Sequence, residues 1–289
     1  MNSFSLSSTE RLARSLTRGL SLELYLTPKP GLVDLLDNGS HPDLSLPKMT
    51  ASIALVGEYF EALAAALGRG TLLPELVSLG RRTEERMLRA FGTNTHKGAI
   101  FLGGLFLVAL ARADGDDDGS LRSAIAAAAG EFFADYRPES THGQKVRDGH
   151  RVSGIVGEAL AGLPSLFCVA LPAWREEFER SGDKVAASWL MMGRLMQTVE
   201  DTTALHRCGR TGLDRLRRDG RRLEETIAAG EDPFSLLRQL NEDYRRKNLT
   251  MGGVADMLGL VFGYLVWRGF LNEIAIGLGA PSAANLSAE

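Results

Sequence analysis

The chain has 289 residues, 44% of them hydrophobic and 24% charged, and its 33 basic residues against 36 acidic ones give a formal charge of −3. A chain of this length and balance can bury a sizeable core. It lacks the single-sign field expected of a nucleic-acid or anionic-membrane binder. Its two cysteines, Cys168 and Cys208, form neither a disulfide framework nor a Cys/His zinc pattern, so a reducing, cytoplasmic setting is expected.

The 3.6-residue period dominates from the start. Ser7 and Glu10 have capping-box spacing and open a helix over 7–26, which Pro28 and Pro30 end. A loop of turn formers follows, with Asp34, Asn38, Gly39, Pro42 and Pro47. Helical patterning predicts elements at 48–67, 72–91 and 97–113, then an exposed acidic turn at 114–120. Further helices are expected at 121–135, 153–171, 183–207, 212–229, 233–246 and 250–274, with a frayed tail at 275–289. The N-terminus has no apolar stretch of signal-peptide type. The apolar runs 98–111 and 254–271 read as buried helices, because the first is too short to span a bilayer and the second carries Asp256 and Arg268. No alternating β-branched runs occur. The expectation is an all-α, single-domain multi-helix bundle over residues 1–289, and the 32 glycines suggest close helix packing.

Polar residues interrupt the apolar stripes. Glu23 follows Leu16 and Leu20, Glu84 lies among Val77, Gly80, Met87 and Phe91, and Asp256 shares a stripe with Leu260, Gly263 and Trp267. An unpaired buried carboxylate costs several kcal/mol, so each needs a cation, a donor or a metal. Three such intrusions point to a shared central polar cleft.

The loops offer complementary groups. Asp34, His41 and Asp43 are metal-type ligands on one loop. In the stretch 92–98, Thr95 is placed to cap the next helix, so that backbone N–H groups and Lys97 would face an anion. Asp201 and His206 lie about 140° apart on an unbroken helix and share a site only if it opens near Gly209. Gly252 and Gly253, in the first turn of the last helix, suggest close approach to a ligand or another helix. Phosphate-loop, dinucleotide-binding and nucleophile-elbow motifs are absent, so any nucleotide is handled by a helical route.

Seven segments in order resemble the triphosphoribosyl-dephospho-CoA synthase family: TPKPGLVD (27–34), GSHPD (39–43), the Glu84/Met87 pair, NTHKGAIF (94–101), GEALAGLP (157–164), DTTALHR (201–207) and NLTMGGVADML (248–258). The resemblance implies an all-α enzyme that moves the 5-triphosphoribosyl group of ATP to the 2′-hydroxyl of 3′-dephospho-CoA. Adenine leaves, Mg²⁺ assists, and the product serves the acyl carrier subunit of citrate lyase or malonate decarboxylase. ATP and 3′-dephospho-CoA, or a related small acceptor, are then the partners, with a homodimer allowed and neither nucleic acid nor membrane involved.

The site residues are carried over on the same basis. Asp34, Asp43, Asp201 and Asp256 are expected at the metal. Lys29, Asn94, Lys97, Arg207, Asn248, Gly252 and Gly253 are expected around the nucleotide. Glu84, His41, His96 and His206 are the candidates for catalysis, with Glu84 near the metal–triphosphate end. The chain departs from the family where Gly154-Ile-Val-Gly-Glu158 lacks a usual arginine at Val156, where Asp201-Thr-Thr replaces Asp-Thr-Asn, and where Thr250 and Met251 replace Ser-Pro. A divergent transferase using another acceptor, a non-catalytic helical nucleotide binder and a ligand-free bundle are the alternatives.

Overall fold

Ser7 and Glu10 form the reciprocal cap. Ser7 Oγ accepts from the Glu10 amide and Glu10 Oε2 from the Ser7 amide, and α1 (Ser8–Tyr25) follows. The computed structural model describes residues 7–135 and 152–271, so the expected tail at 275–289 lies outside the described residues. After α1 come α2 (Leu46–Gly68), α3 (Leu73–Phe91), α4 (Lys97–Arg112) and α5 (Asp118–Asp135). The second stretch holds α6 (Gly154–Leu160), a π-helical segment (Ser165–Ala170), α7 (Leu171–Ser181), α8 (Lys184–Thr198), α9 (Thr202–Ala228), α10 (Pro233–Lys247) and α11 (Gly252–Trp267). Among the described residues there is no strand, and the chain is all-α.

Two expectations need correction. The single helix at 153–171 is instead α6 and a π-helical segment that runs on into α7, bent through 83°. Gly162 and Leu163 take positive φ between the two parts, and Glu158 accepts from the Ser165 amide and hydroxyl across the turn. The helix at 183–207 ends at Thr198, because Asp201 caps a new helix. That new helix, α9, takes in the expected 212–229 up to Ala228 and is broken at Gly209, whose φ of 63° and ψ of −162° are non-helical. The acidic turn is exposed as expected, although α5 begins within it at Asp118. Asp117 accepts from the Gly119 and Ser120 amides, and Arg268 lies 3.6 Å from Asp116 and 3.5 Å from Asp118.

α1 and α11 form the most extensive helix pair. A Cβ on Gly19 would overlap the Gly259 carbonyl oxygen and the Gly263 amide nitrogen, so the two backbones touch. The apolar runs behave as buried helices. Phe106 of α4 is fully buried and stacks on Tyr264 of α11, with ring centroids 6.0 Å apart. All the helices contribute to one hydrophobic core, which surrounds an unusual number of buried charges at the end of the bundle where α4, α9 and α11 begin.

Candidate active site

The loop between α1 and α2 is built around Lys29, which is completely buried. Its ammonium donates to Glu23 Oε1 at 2.6 Å and to the Glu23 carbonyl, so the stripe-breaking Glu23 has a cation partner. The Lys29 amide donates to Asp34 Oδ2 at 2.9 Å, and Asp34 Oδ1 accepts from the amides of Leu36 and Asp37. Asp34 thereby folds the loop. Burial raises the pKa of both carboxyls, although Lys29 opposes it.

Asp201, also fully buried, joins two helix starts. Its Oδ1 accepts from the amides of Thr203 and Ala204 at the head of α9, and its Oδ2 from Val254 at the head of α11, where the Gly253 amide also bonds it. The two glycines make this approach feasible. A Cβ on Gly253 would lie 3.1 Å from Asp201 Oδ2, and one on Gly252 2.7 Å from Thr203 Oγ1. Next door, Glu200 accepts from the Ser153 and Gly154 amides and fastens the start of α6.

Asp256, one turn into α11, reaches the head of α4. Its carboxylate fills the space that a Cβ on Gly98 would occupy and accepts from the Ala99 amide. Burial, with the charges of Asp201 and Glu23 nearby, pushes its pKa up to about 8. Its residue surface is nonetheless partly open, between the half-exposed Gly98, Gly252 and Gly253.

The turn before α4 supplies the facing wall. Glu84 pairs with Lys97 at 3.1 Å and accepts from Asn94 Nδ2 at 3.3 Å, while Asn94 Oδ1 is buried with no hydrogen-bond partner among the described residues. Thr95 does not cap α4, contrary to expectation. Its hydroxyl turns to Ser52, Met87 and His96, and His96 stands at the cap without a side-chain cap bond. His96 Nδ1 lies 2.7 Å from Ser52 Oγ. Burial, and secondarily the Lys29 ammonium, lowers the His96 pKa to about 4, so the ring is neutral.

His41 is neutral for similar reasons, its pKa lowered to about 4 by burial and then by Arg207. Its bonds fix its tautomer. Arg207 Nη2 can only donate, so Nδ1 accepts at 3.1 Å; Nε2–H then donates to Thr250 Oγ1 at 2.8 Å, and that hydroxyl donates to the Gly31 carbonyl. Arg207 Nη1 also donates to the Ser40 carbonyl and to Asn248 Oδ1. Both motif loops are thus tied to the start of α11.

The structure brings Lys29, Asp34, His96, Asp201, Asp256, Gly252 and Gly253 to one polar centre, with Glu84, Asn94 and Lys97 at its mouth. His41, Arg207 and Asn248 form a neighbouring cluster. Asp43 is exposed, but Lys48 bonds both its carbonyl and that of Phe91, which holds its loop against the turn before α4. His206 is exposed on α9, whereas Asp201, the residue that caps that helix, is buried, and the break at Gly209 comes after both. Sequence reasoning missed Ser52, Ser40 and Glu200. Glu200, beside Asp201, and Ser40, inside the GSHPD motif, carried a signal, and Ser52 carried none.

For a divalent cation the useful question is which oxygens remain open. Among the described residues no three His, Cys, Asp or Glu side chains converge to hold a metal. Asp34 already takes three backbone donors and Asp201 four, whereas Asp256 takes one, Glu84 is shared with Lys97 and Asn94, and Asp43 is exposed. This donor set suits Mg²⁺ carried chiefly by phosphate oxygens, with one or two carboxylates completing its shell.

Comparison with known proteins identifies the family. A family described as ATP:dephospho-CoA triphosphoribosyl transferase matches residues 9–266. A protein of Azotobacter vinelandii named probable 2-(5″-triphosphoribosyl)-3′-dephosphocoenzyme-A synthase is 34% identical over 94% of each chain. A Klebsiella pneumoniae synthase of the same name is 29% identical over 88% of this chain and 90% of its own, and a Pseudomonas paraeruginosa protein named a probable one is 33% identical over 89% and 88%. No solved structure matches the chain. The matched span takes in every buried charge described above, and the chain belongs to the ATP:dephospho-CoA triphosphoribosyl transferase family, as an enzyme that uses ATP.

Proposed function

We propose that the protein is a Mg²⁺-dependent transferase. It moves the 5-triphosphoribosyl group of ATP to the 2′-hydroxyl of 3′-dephospho-CoA and releases adenine. The product would feed the prosthetic group of a citrate lyase or malonate decarboxylase acyl carrier subunit. The observation that carries this reading is Asp256, a buried carboxyl on a partly exposed residue, raised to about 8 and flanked by the heads of three helices.

Breaking the N-glycosidic bond develops positive charge on the ribose and negative charge on the purine. Asp201, beside the Lys29-paired Glu23, gives the centre negative charge suited to the first. Asp256, partly protonated at neutral pH, can deliver a proton to the departing adenine or take one from the attacking hydroxyl. The unpartnered Asn94 Oδ1 can accept from an amino group or hydroxyl of the substrate. Lys97 would meet phosphate at the mouth, where Glu84 and Asp43 would hold the cation. Mg²⁺ would supply neutralisation of triphosphate charge. Asp34 and Asp201 would act on the reaction by fixing the loop and helix heads, and His41 and Arg207 by fixing the loop at 38–43. The free thiols of Cys168 and Cys208 fit a reducing cytoplasm.

Incubating the protein with ATP and dephospho-CoA tests this directly. Equimolar adenine and triphosphoribosylated acceptor, both dependent on Mg²⁺, are expected. ATP hydrolysis without adenine would refute the reading. A second reading, transfer to a less anionic acceptor, is favoured by one feature: Val156, where the family usually carries arginine, lies half-exposed on α6. It requires adenine release that dephospho-CoA does not stimulate.

A further inference from the structure

Beside the loop at 38–43, the surface opens into a shallow depression of about 690 Å³, lined in part by Ser40, His41, Glu242, Arg245, Arg246 and Asn248, and by neither Lys97 nor Glu84. Its volume is within the range of sites that hold nucleotide-sized ligands. Three observations bear on what it holds.

Beneath its floor lies the Arg207 guanidinium, which is partly buried. Its bonds run to the Ser40 carbonyl, Asn248 Oδ1 and the neutral His41 ring, and no carboxylate reaches it among the described residues. That guanidinium therefore has no direct ion-pair partner among the described residues. In the same wall Ser40 is 6% exposed, yet its hydroxyl has no hydrogen-bond partner among the described residues. A buried hydroxyl without a partner is costly and uncommon. At the rim stand Arg245 and Arg246, both exposed. Arg245 keeps only a long contact to Asp37 at 3.5 Å, and Arg246 shares Asp243 with Arg215.

We propose that this depression binds the diphosphate of the acceptor nucleotide, an inference that rests on the transferase reading above. The chemistry distinguishes the two anionic substrates. A triphosphate that arrives with Mg²⁺ seeks carboxylates, which stand at the Glu84 side. A diphosphodiester without a metal seeks guanidinium groups and hydroxyl donors, which are what this depression offers. Arg245 and Arg246 supply bidentate donors at the rim, the Ser40 hydroxyl donates from the wall, and Arg207 sets the positive potential from below. Glu242 accepts from a hydroxyl or amino group beyond the diphosphate. Because Thr250 links His41 to Gly31 at the head of α11, an acceptor anchored here lies beside the elements that carry Asp256.

The test uses the full chain and the double variant Arg245→Ala/Arg246→Ala, whose side chains are exposed and support no core packing. Dephospho-CoA and Mg·ATP are titrated separately by calorimetry, and KM for each is read from adenine release. The double variant is expected to weaken dephospho-CoA binding and raise its KM about tenfold or more, with Mg·ATP binding unchanged. Inorganic pyrophosphate is expected to compete with dephospho-CoA on the wild-type protein and much less on the variant. Unaltered dephospho-CoA affinity, or an equal loss for Mg·ATP, overturns the assignment. So does a Ser40→Ala/Arg245→Lys/Arg246→Lys protein that binds dephospho-CoA as tightly as the wild type. Tight dephospho-CoA binding that the double variant loses, with no adenine released by the wild type, would sink the transferase reading and leave the anion site standing.

Discussion

Lys29 and Glu23 form an ion pair from which water is excluded, and such pairs are strongly destabilising when broken from one side. Lys29→Ala strands the Glu23 carboxylate and is expected to cost about 3–5 kcal/mol in chemical denaturation, whereas Lys29→Met with Glu23→Leu costs far less. Equal losses for the two proteins would contradict the pairing. The histidines give a pH signature. His41 and His96 are held at about 4 in the folded protein against the usual 6.5, so the unfolded chain binds more protons between those values. Stability therefore rises from pH 4 to 6.5 and is lost on acidification through that window. His96→Gln removes one of the two contributions, of order 3 kcal/mol across the window, and an unflattened profile would count against it. Glu23 and Asp256 were legible in the sequence, because a carboxylate in an apolar stripe is visible as an interruption. Lys29 and Ser40 were not readable as buried, since nothing local tells a loop lysine covered by helices from an exposed one.

At the scale of the element, the site is made of helix beginnings. Asp201 and Asp256 neutralise the heads of α9, α11 and α4, and the glycines that bring these heads together are where the sequence hinted at close approach. The α1–α11 contact rests on the same device. Gly19→Ala would drive a methyl into the backbone of α11, and a loss exceeding about 1–3 kcal/mol is expected even though alanine favours the helix. A melting temperature at or above the wild-type value would contradict the contact. Most helices were readable from their period alone. The segment 183–207 was not, because its apolar pattern continues across Val199, and only the Asp201 cap bonds decide that one helix stops and another starts. The turn at Gly162 and Leu163 escaped for a related reason: Glu158 secures it through a side-chain bond that periodicity does not encode.

Over the whole molecule, segments as distant as 23–43, 94–98, 201–207 and 248–256 meet at one end of the bundle, and they include most of the motifs that carried the family resemblance. Their order along the chain was readable; their convergence was not, because it depends on the crossing of α1, α4, α9 and α11. The centre they form trades stability for chemistry. Asp256, with its pKa raised to about 8, ionises at a cost to the fold as pH rises from its ordinary range toward 8. Asp256→Asn removes that cost and keeps an acceptor for the Ala99 amide. The decisive measurement is the initial rate of adenine release from Mg·ATP with dephospho-CoA, taken on Asp256→Asn and the wild type at pH 8, alongside their melting temperatures. A variant that melts at or above the wild-type temperature and releases adenine at least about 100-fold more slowly is the expected result. A folded variant that releases adenine at the wild-type rate would contradict it.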